Sequence, residues 1–189
     1  MVQLSTDERI RETAKRLFAK YGYDGISMRT LAQESGVGLS SIYHFFEDKD
    51  VLLKEIYLET NTKLGFERAI LPPQPTAEKM LAQLIEFQFA HIEDIVYVLK
   101  YYLHFREDFA LQPTRTLPAK SVLHVEEVIE KGRQTGEFTI PASEIAHKAK
   151  VVAHTINGYL LEYYPDIPNR KELDEIVSDI VGFSRAGLA

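Results

Sequence analysis

Residues 36–49 read GVGLSSIYHFFEDK. Within this stretch lie two glycines, two small hydroxyls, a phenol, an imidazole and an ammonium. The chemistry these groups offer is hydrogen bonding, to a phosphate backbone and to base edges. Ser27, placed at a helix start, combines a hydroxyl with free backbone amides that can meet an anion, and Arg29 can reach the same strand. Tyr43 can donate its phenolic hydrogen to phosphate, and Lys49 can pin the far side. Base readout would then fall to Gly38, Ser40, Ser41 and His44, partly through backbone proximity and water. Leu39 can touch a thymine methyl. Each reading has a plainer counterpart. Ser27 is a helix cap whatever else it does. Tyr43 can close a core edge, Phe45 and Phe46 suit packing better than contact, and an isolated Lys49 is commonly a solvated surface lysine.

Other chemistries find less support. His91-x-Glu93 and His104-x-x-Glu107 invite a metal, but neither belongs to a cluster with ligand spacing, so no metal or cofactor is expected. Nucleotide-binding glycine loops, HExxH and nucleophile elbows are absent from the sequence, so no catalytic residue is assigned and an enzyme is disfavoured. A helical interaction adaptor is the second competing class. It would give no sequence-dependent DNA shift and weak salt dependence, whereas a DNA reader gives a sequence-dependent shift and marked salt dependence.

The elements that must position these residues are all helices. Apolar residues recur at spacings of three and four, and the eight prolines cluster between such runs. Helix 1 is expected over 6–21, striped by Ile10, Ala14, Leu17, Phe18 and Tyr21, and stopped by Gly22. A short helix 2 follows Ser27 and buries Leu31 and Ala32; Gly36 breaks it. Helix 3 covers 39–45, and Asp48 or its neighbour caps helix 4, which runs to about 70. Pro72, Pro73 and Pro75 end it. Helices 5 and 6 are expected over 76–91 and 92–109, and helix 7 over 119–135 after a loop at 113–118. Helix 8 follows Pro141 with Ser143 as a possible cap and reaches 164. Helix 9 closes the chain from about 170. The fold class is all-α: an N-terminal three-helix helix-turn-helix head, joined by helix 4 to a larger ligand-binding and dimerisation body, with about nine helices. The expected domains are 1–48 and 49–189.

Composition agrees with a globular chain. The 189 residues are 45% hydrophobic and 26% charged, with no cysteine, so neither disulfides nor thiolate metal sites are possible. The net charge of −6 argues mildly against coating a long duplex. Residues 1–50 hold seven Lys or Arg against eight Asp or Glu, so most of the excess acid lies beyond them. There is no signal-type apolar run at the N-terminus and no stretch approaching 18 apolar residues, so a cytoplasmic location is expected and no membrane partner.

The run IRETAKRLFAKYGYDGISMRTLAQESGVGLSSIYHFFEDKDVLL, residues 10–53, resembles the N-terminal domain of TetR-family transcriptional regulators. The matching framework includes Ala14, Leu17, Phe18, Gly22, Tyr23, Ser27, Leu31, Ala32, Gly36, Val37, Ile42, Tyr43, Phe45, Lys49, Leu52 and Leu53. The resemblance covers about a quarter of the chain. It implies helix 3 as a recognition helix in a homodimer on palindromic double-stranded DNA, most often as a repressor. Tyr43 and Lys49 fall where the family commonly contacts phosphate, Ser27 and Arg29 at the start of helix 2, and 38–44 on the variable reading surface. Two departures stand out: the reading helix has no Lys or Arg, and Phe46 occupies a position often polar in relatives, where it strengthens a hinge or simply packs.

The resemblance also implies dimerisation through the last two helices, 8 and 9, and an effector pocket in the body. Helix 8 offers Val151, Val152, His154, Thr155 and Gly158, where a close crossing is expected. Phe66, Phe87, Tyr97, Tyr101, Tyr102, His104, Phe105 and Phe109 are the candidate lining of a pocket for a small apolar or aromatic effector. For any single ring, a place in the core is the stronger reading. A ligand would act by changing the spacing of two DNA heads through helix 4.

Overall fold

The computed structural model describes residues 4–109 and 117–185. Nine α-helices are found among them: α1 Thr6–Tyr21, α2 Met28–Ser35, α3 Leu39–Phe45, α4 Lys49–Ala69, α5 Ala77–Ala90, α6 Ile92–His104, α7 Leu117–Thr135, α8 Ile145–Tyr163 and α9 Arg170–Arg185. This is the all-α architecture the periodicity predicts. Short 3-10 turns, Arg106–Phe109 and Ala142–Glu144, follow α6 and precede α8.

The termini follow local chemistry. Ser5 and Glu8 form a reciprocal capping box at the start of α1. Ser27 accepts from the amide of Thr30 at 3.0 Å, Asp48 from that of Val51 at 2.8 Å, and Thr76 from that of Lys79 at 3.2 Å. Asn169 and Glu172 exchange side-chain bonds with each other's amides at the start of α9, a second such box.

Several expectations need correction. α6 ends at His104 rather than 109, because Arg106, Glu107 and Asp108 are exposed and bury nothing that would extend the helix. The expected loop at 113–118 lies mostly outside the described residues. α7 begins at Leu117, with Pro118 in its first turn, where a missing N–H costs no helical bond. Ser143 does not cap α8, since it sits within the 3-10 turn and Glu144 precedes the helix without a side-chain cap. Tyr21, at the last position of α1, is 55% exposed instead of completing the buried stripe. Among the described residues, nothing beyond the helix's own backbone comes within 4 Å of where a Cβ on Gly158 would stand, so none of them makes a close crossing there.

The helices sort into two compact units. The first joins Met1–Ala69 with Glu93–Asp108, so α4 and nearly all of α6 belong with α1–α3. Its core holds Ile10, Ala14 and Phe18 of α1, Leu31 and Ala32 of α2, Ile42 of α3, Leu52 and Leu53 of α4 and Val96 and Tyr97 of α6. Each large apolar side chain so buried contributes about 1.5–3 kcal/mol. The Phe18 and Tyr97 rings lie 5.1 Å apart, and the Tyr97 hydroxyl donates to the Leu53 carbonyl at 2.6 Å. One turn earlier in α6, the Asp94 carboxylate is gripped by Lys15 of α1 at 2.9 Å and Lys63 of α4 at 3.2 Å.

The second unit joins Ile70–Ile92 with Phe109–Ala189. Here α5 packs on α7, α8 and α9, and α7 lies along α8. Phe138 closes over Gly132 of α7, where a Cβ would come within 2.3 Å of the ring. The Glu137 carboxylate accepts from the amide of Ala77 at 2.8 Å, satisfying the start of α5 from a distant loop. Among the described residues no helix is long and apolar enough to cross a membrane.

Candidate nucleic-acid interface

The turn between α2 and α3 rests on Gly36, whose φ of 66° and ψ of 33° are left-handed. The Val37 amide donates back to Ala32 at 3.0 Å, closing α2 before the chain reverses into α3. Leu31, Ala32 and Ile42 turn inward, and this fixes what α3 shows to solvent. Leu39, Ser40, Tyr43 and His44 are exposed and Ser41 is half-buried. Gly38 precedes the helix without a side chain to block its amides.

Phe46 is 2% exposed, and the Arg11 guanidinium lies 5.0 Å over its ring, so it packs. Phe45 does not: it is 45% exposed. Ile42 and Phe46 share one helical face, which leaves Phe45 rotated away from the core. The sequence expectation of a packing role is corrected for this residue.

The positive groups are few. Arg29 is exposed near the start of α2, and among the described residues no ion pair holds it. Ser27 shares a 2.9 Å hydroxyl contact with Thr30 in addition to its capping bond. Lys49 is partly buried, and its ammonium donates to the carbonyls of Tyr23 at 2.9 Å and Ile26 at 3.1 Å. It also lies 3.5 Å from the centre of the Tyr23 ring. The Tyr23 hydroxyl donates to Asp50 at 2.5 Å. That bond, with partial burial and neighbouring carboxylates, pushes the phenol up to about 12. The lysine expected at a phosphate is therefore also a brace for the α1–α2 loop, which runs directly into Ser27.

Of the eight candidate lining residues, Phe66, Tyr97, Tyr101, Tyr102, His104 and Phe105 belong to the first unit and Phe87 to the second. Tyr97 and Tyr101 are buried in the first unit; Tyr101 stacks on Tyr57 at 4.5 Å and tilts against Phe105 at 4.5 Å. Burial pushes both phenols well above their ordinary range. His104 stacks on Tyr23 at 4.0 Å and 17°. Tyr102 is half-buried and Phe66 is 67% exposed. Phe87 is in the second unit, 4.3 Å from the His91 ring. The side chain of Phe109 lies outside the described residues. Among the described residues no group of three or more His, Asp or Glu could hold a metal ion.

In the second unit, α8 and α9 form the walls of a shallow groove of about 290 Å³, lined by Val151, Thr155, Tyr159 and Phe183 among others. Its lining is mostly apolar and includes Asp179.

Residues 10–56 match the family model for bacterial regulatory proteins of the tetR family. The HTH-type transcriptional repressor Rv1474c of Mycobacterium tuberculosis is 38% identical over 56 residues, which are 30% of this chain and 30% of that protein. The chain thus spans under a third of the length of that curated relative. A TetR-like transcriptional regulator from Rhodococcus sp. RHA1 superposes with a TM-score of 0.74 at 10% identity, covering 97% of this chain and 96% of that one. The TetR-family regulator PfmR from Thermus thermophilus gives 0.65 at 18% identity, covering 100% of this chain and 99% of that one. Sequence likeness is thus concentrated in the N-terminal helices, while the likeness of fold extends over the whole chain.

Proposed function

We propose that the chain, whose residues 10–56 match the tetR family model, is a regulator of that family: a cytoplasmic, ligand-responsive transcriptional repressor that binds a palindromic operator as a homodimer. The observation that carries this reading is the α2–Gly36–α3 pair with its solvent-facing Leu39, Ser40, Tyr43 and His44. A short helix with small polar groups at its N-terminal end fits a major groove.

In this reading Ser27, Arg29 and Tyr43 contact phosphates and set the register. Gly38, Ser40, Ser41 and His44 read base edges, directly or through water, and Leu39 meets a thymine methyl. Lys49 supplies positive charge from its place against the α1–α2 loop. The apolar groove on α8 and α9 supports a dimer through those helices, as the two-fold symmetry of a palindrome requires. The mycobacterial relative is named a repressor, which favours repression over activation. The effector is a small apolar or aromatic compound, and its binding and operator binding are coupled reciprocally.

Selection of bound fragments from randomised duplex DNA, at several salt concentrations, tests the reading. An enriched palindrome bound far more tightly than shuffled DNA is expected, with weaker binding by Tyr43→Phe. Absence of any enriched sequence, or a Tyr43→Phe variant that binds unchanged, counts against it.

A further inference from the structure

A second recess lies wholly within the first unit. It is an open groove of about 400 Å³ between the C-terminal end of α1 and the last turn of α6. Lys20, Lys100 and His104 line it, and none of its described lining residues is acidic. In a chain of net charge −6, that local sign is reversed.

Lys100 is the best placed of the three. Its ammonium donates to the Ala19 carbonyl at 2.5 Å, capping the end of α1, and its other donors have no partner among the described residues. The group is partly buried without a carboxylate, and burial lowers its pKa accordingly. An anion reaching it would meet a cation that is poorly screened and already held in place.

The apolar side of the groove is equally specific. Tyr21 and Leu103 are both more than half exposed where they line it, one on each helix. Tyr21 is the ring that leaves the buried stripe of α1, and the Lys20 ammonium lies 5.2 Å from its centre. A flat ring can rest against the two side chains while an acid group reaches Lys100.

We propose that this groove binds a small aromatic carboxylate, its acid on Lys100 with Lys20 and His104 nearby, and its ring against Tyr21 and Leu103. Of the eight residues considered for an effector pocket, only His104 lines this groove. Tyr23 also lines it, and the carbonyl of Tyr23 accepts from Lys49 four residues before the start of α2 is capped by Ser27. An occupant therefore bears on the loop that leads into the helix-turn-helix. That consequence rests on the proposed DNA-binding function; the binding itself does not.

Calorimetric titration of the full chain without DNA tests the site, with benzoate, benzyl alcohol and acetate as probes. Saturable binding of benzoate is expected, at least about tenfold tighter than benzyl alcohol, which lacks the charge, or acetate, which lacks the ring. Lys100→Gln should weaken benzoate about tenfold and leave benzyl alcohol unchanged. Because loss of the helix cap could disturb folding, Leu103→Glu at an exposed position is the second variant. It should abolish benzoate binding with an unchanged melting temperature. Failure of benzoate to saturate overturns the proposal, as does equal binding by wild type and Leu103→Glu. Saturable benzoate binding with no effect on affinity for a selected operator would uphold the site and remove its regulatory consequence.

Discussion

The Lys49 ammonium lies 2.9 Å from the carbonyl oxygen of Tyr23 and 3.5 Å from the centre of the same residue's ring. One side chain from the start of α4 thereby holds both the backbone and the ring of the α1–α2 loop. Lys49→Met should lower stability by about 1–3 kcal/mol, because two charge-assisted bonds to carbonyls are lost. Operator affinity should fall with it. Arg29→Ala, at an exposed cation with no ion pair among the described residues, should weaken operator binding with little change in stability. Urea unfolding and DNA titration of both variants separate the two roles. A Lys49→Met protein of wild-type stability would reduce Lys49 to a surface contact.

Asp94 makes the first unit sensitive to acid. Burial alone would raise its carboxyl, but Lys15 and Lys63 outweigh that and hold it below the ordinary value. A depressed folded-state value means the stabilisation is present above the unfolded value of about 4 and is lost as pH falls through the folded one. Stability should therefore drop below about pH 4, and Asp94→Asn should flatten that limb. At neutral pH the variant should lose about 1–3 kcal/mol, since Lys15 keeps its burial with only the more exposed Glu12 as a carboxylate partner. Denaturation at pH 3 to 7 checks both; an unchanged acid limb in Asp94→Asn would assign it to other carboxylates.

Two glycines in neighbouring helices should respond oppositely to alanine. At Gly132 the new methyl meets the Phe138 ring at 2.3–2.7 Å, so Gly132→Ala should cost about 1–3 kcal/mol. At Gly158 there is open space in the chain, so Gly158→Ala should add up to about 1 kcal/mol of helix stability to a monomer. If α8 meets a second copy at that face, the same methyl should weaken the dimer. Sedimentation equilibrium alongside thermal unfolding reads the two effects; a dimer constant unmoved by Gly158→Ala would shift the interface away from that part of α8.

The proposed DNA surface is sparingly charged. With Arg29 and Lys49 from each of two protomers, about four phosphates are neutralised, and the logarithm of affinity should fall against that of salt with a slope of about −4. Arg29→Ala should make the slope shallower by about 2 per dimer. A wild-type slope beyond about −7 would require further basic residues at the interface.

Local signals made the head legible from sequence. Ser27, Gly36 and Asp48 each perform the capping or turning role that their chemistry dictates, and those roles depend on backbone geometry only a few residues away. Lys49 was less transparent, because its carbonyl partners lie 26 and 23 residues earlier. The rings of α6 are ambiguous for the same reason. Their spacing marks a buried face, but only the fold reveals that Tyr97 is spent on Phe18 and the Leu53 carbonyl. Phe45 and Tyr21 show the limit of composition: an aromatic residue beside a core stripe is read as core, although one helical step turns it to solvent.

The membership of α6 in the first unit bears on how such a protein could be recombined. The natural-looking seam just after α3 would sever Phe18 from Tyr97 and Lys15 from Asp94, leaving a transplanted head with a hole and a half-buried cation that keeps only Glu12. A graft that carried only the contiguous segment through α4 would leave the same wounds. The portable module is discontinuous: Met1–Ala69 must travel with Glu93–Asp108, and any foreign sensor must be spliced in as an insertion between them and as a tail beyond.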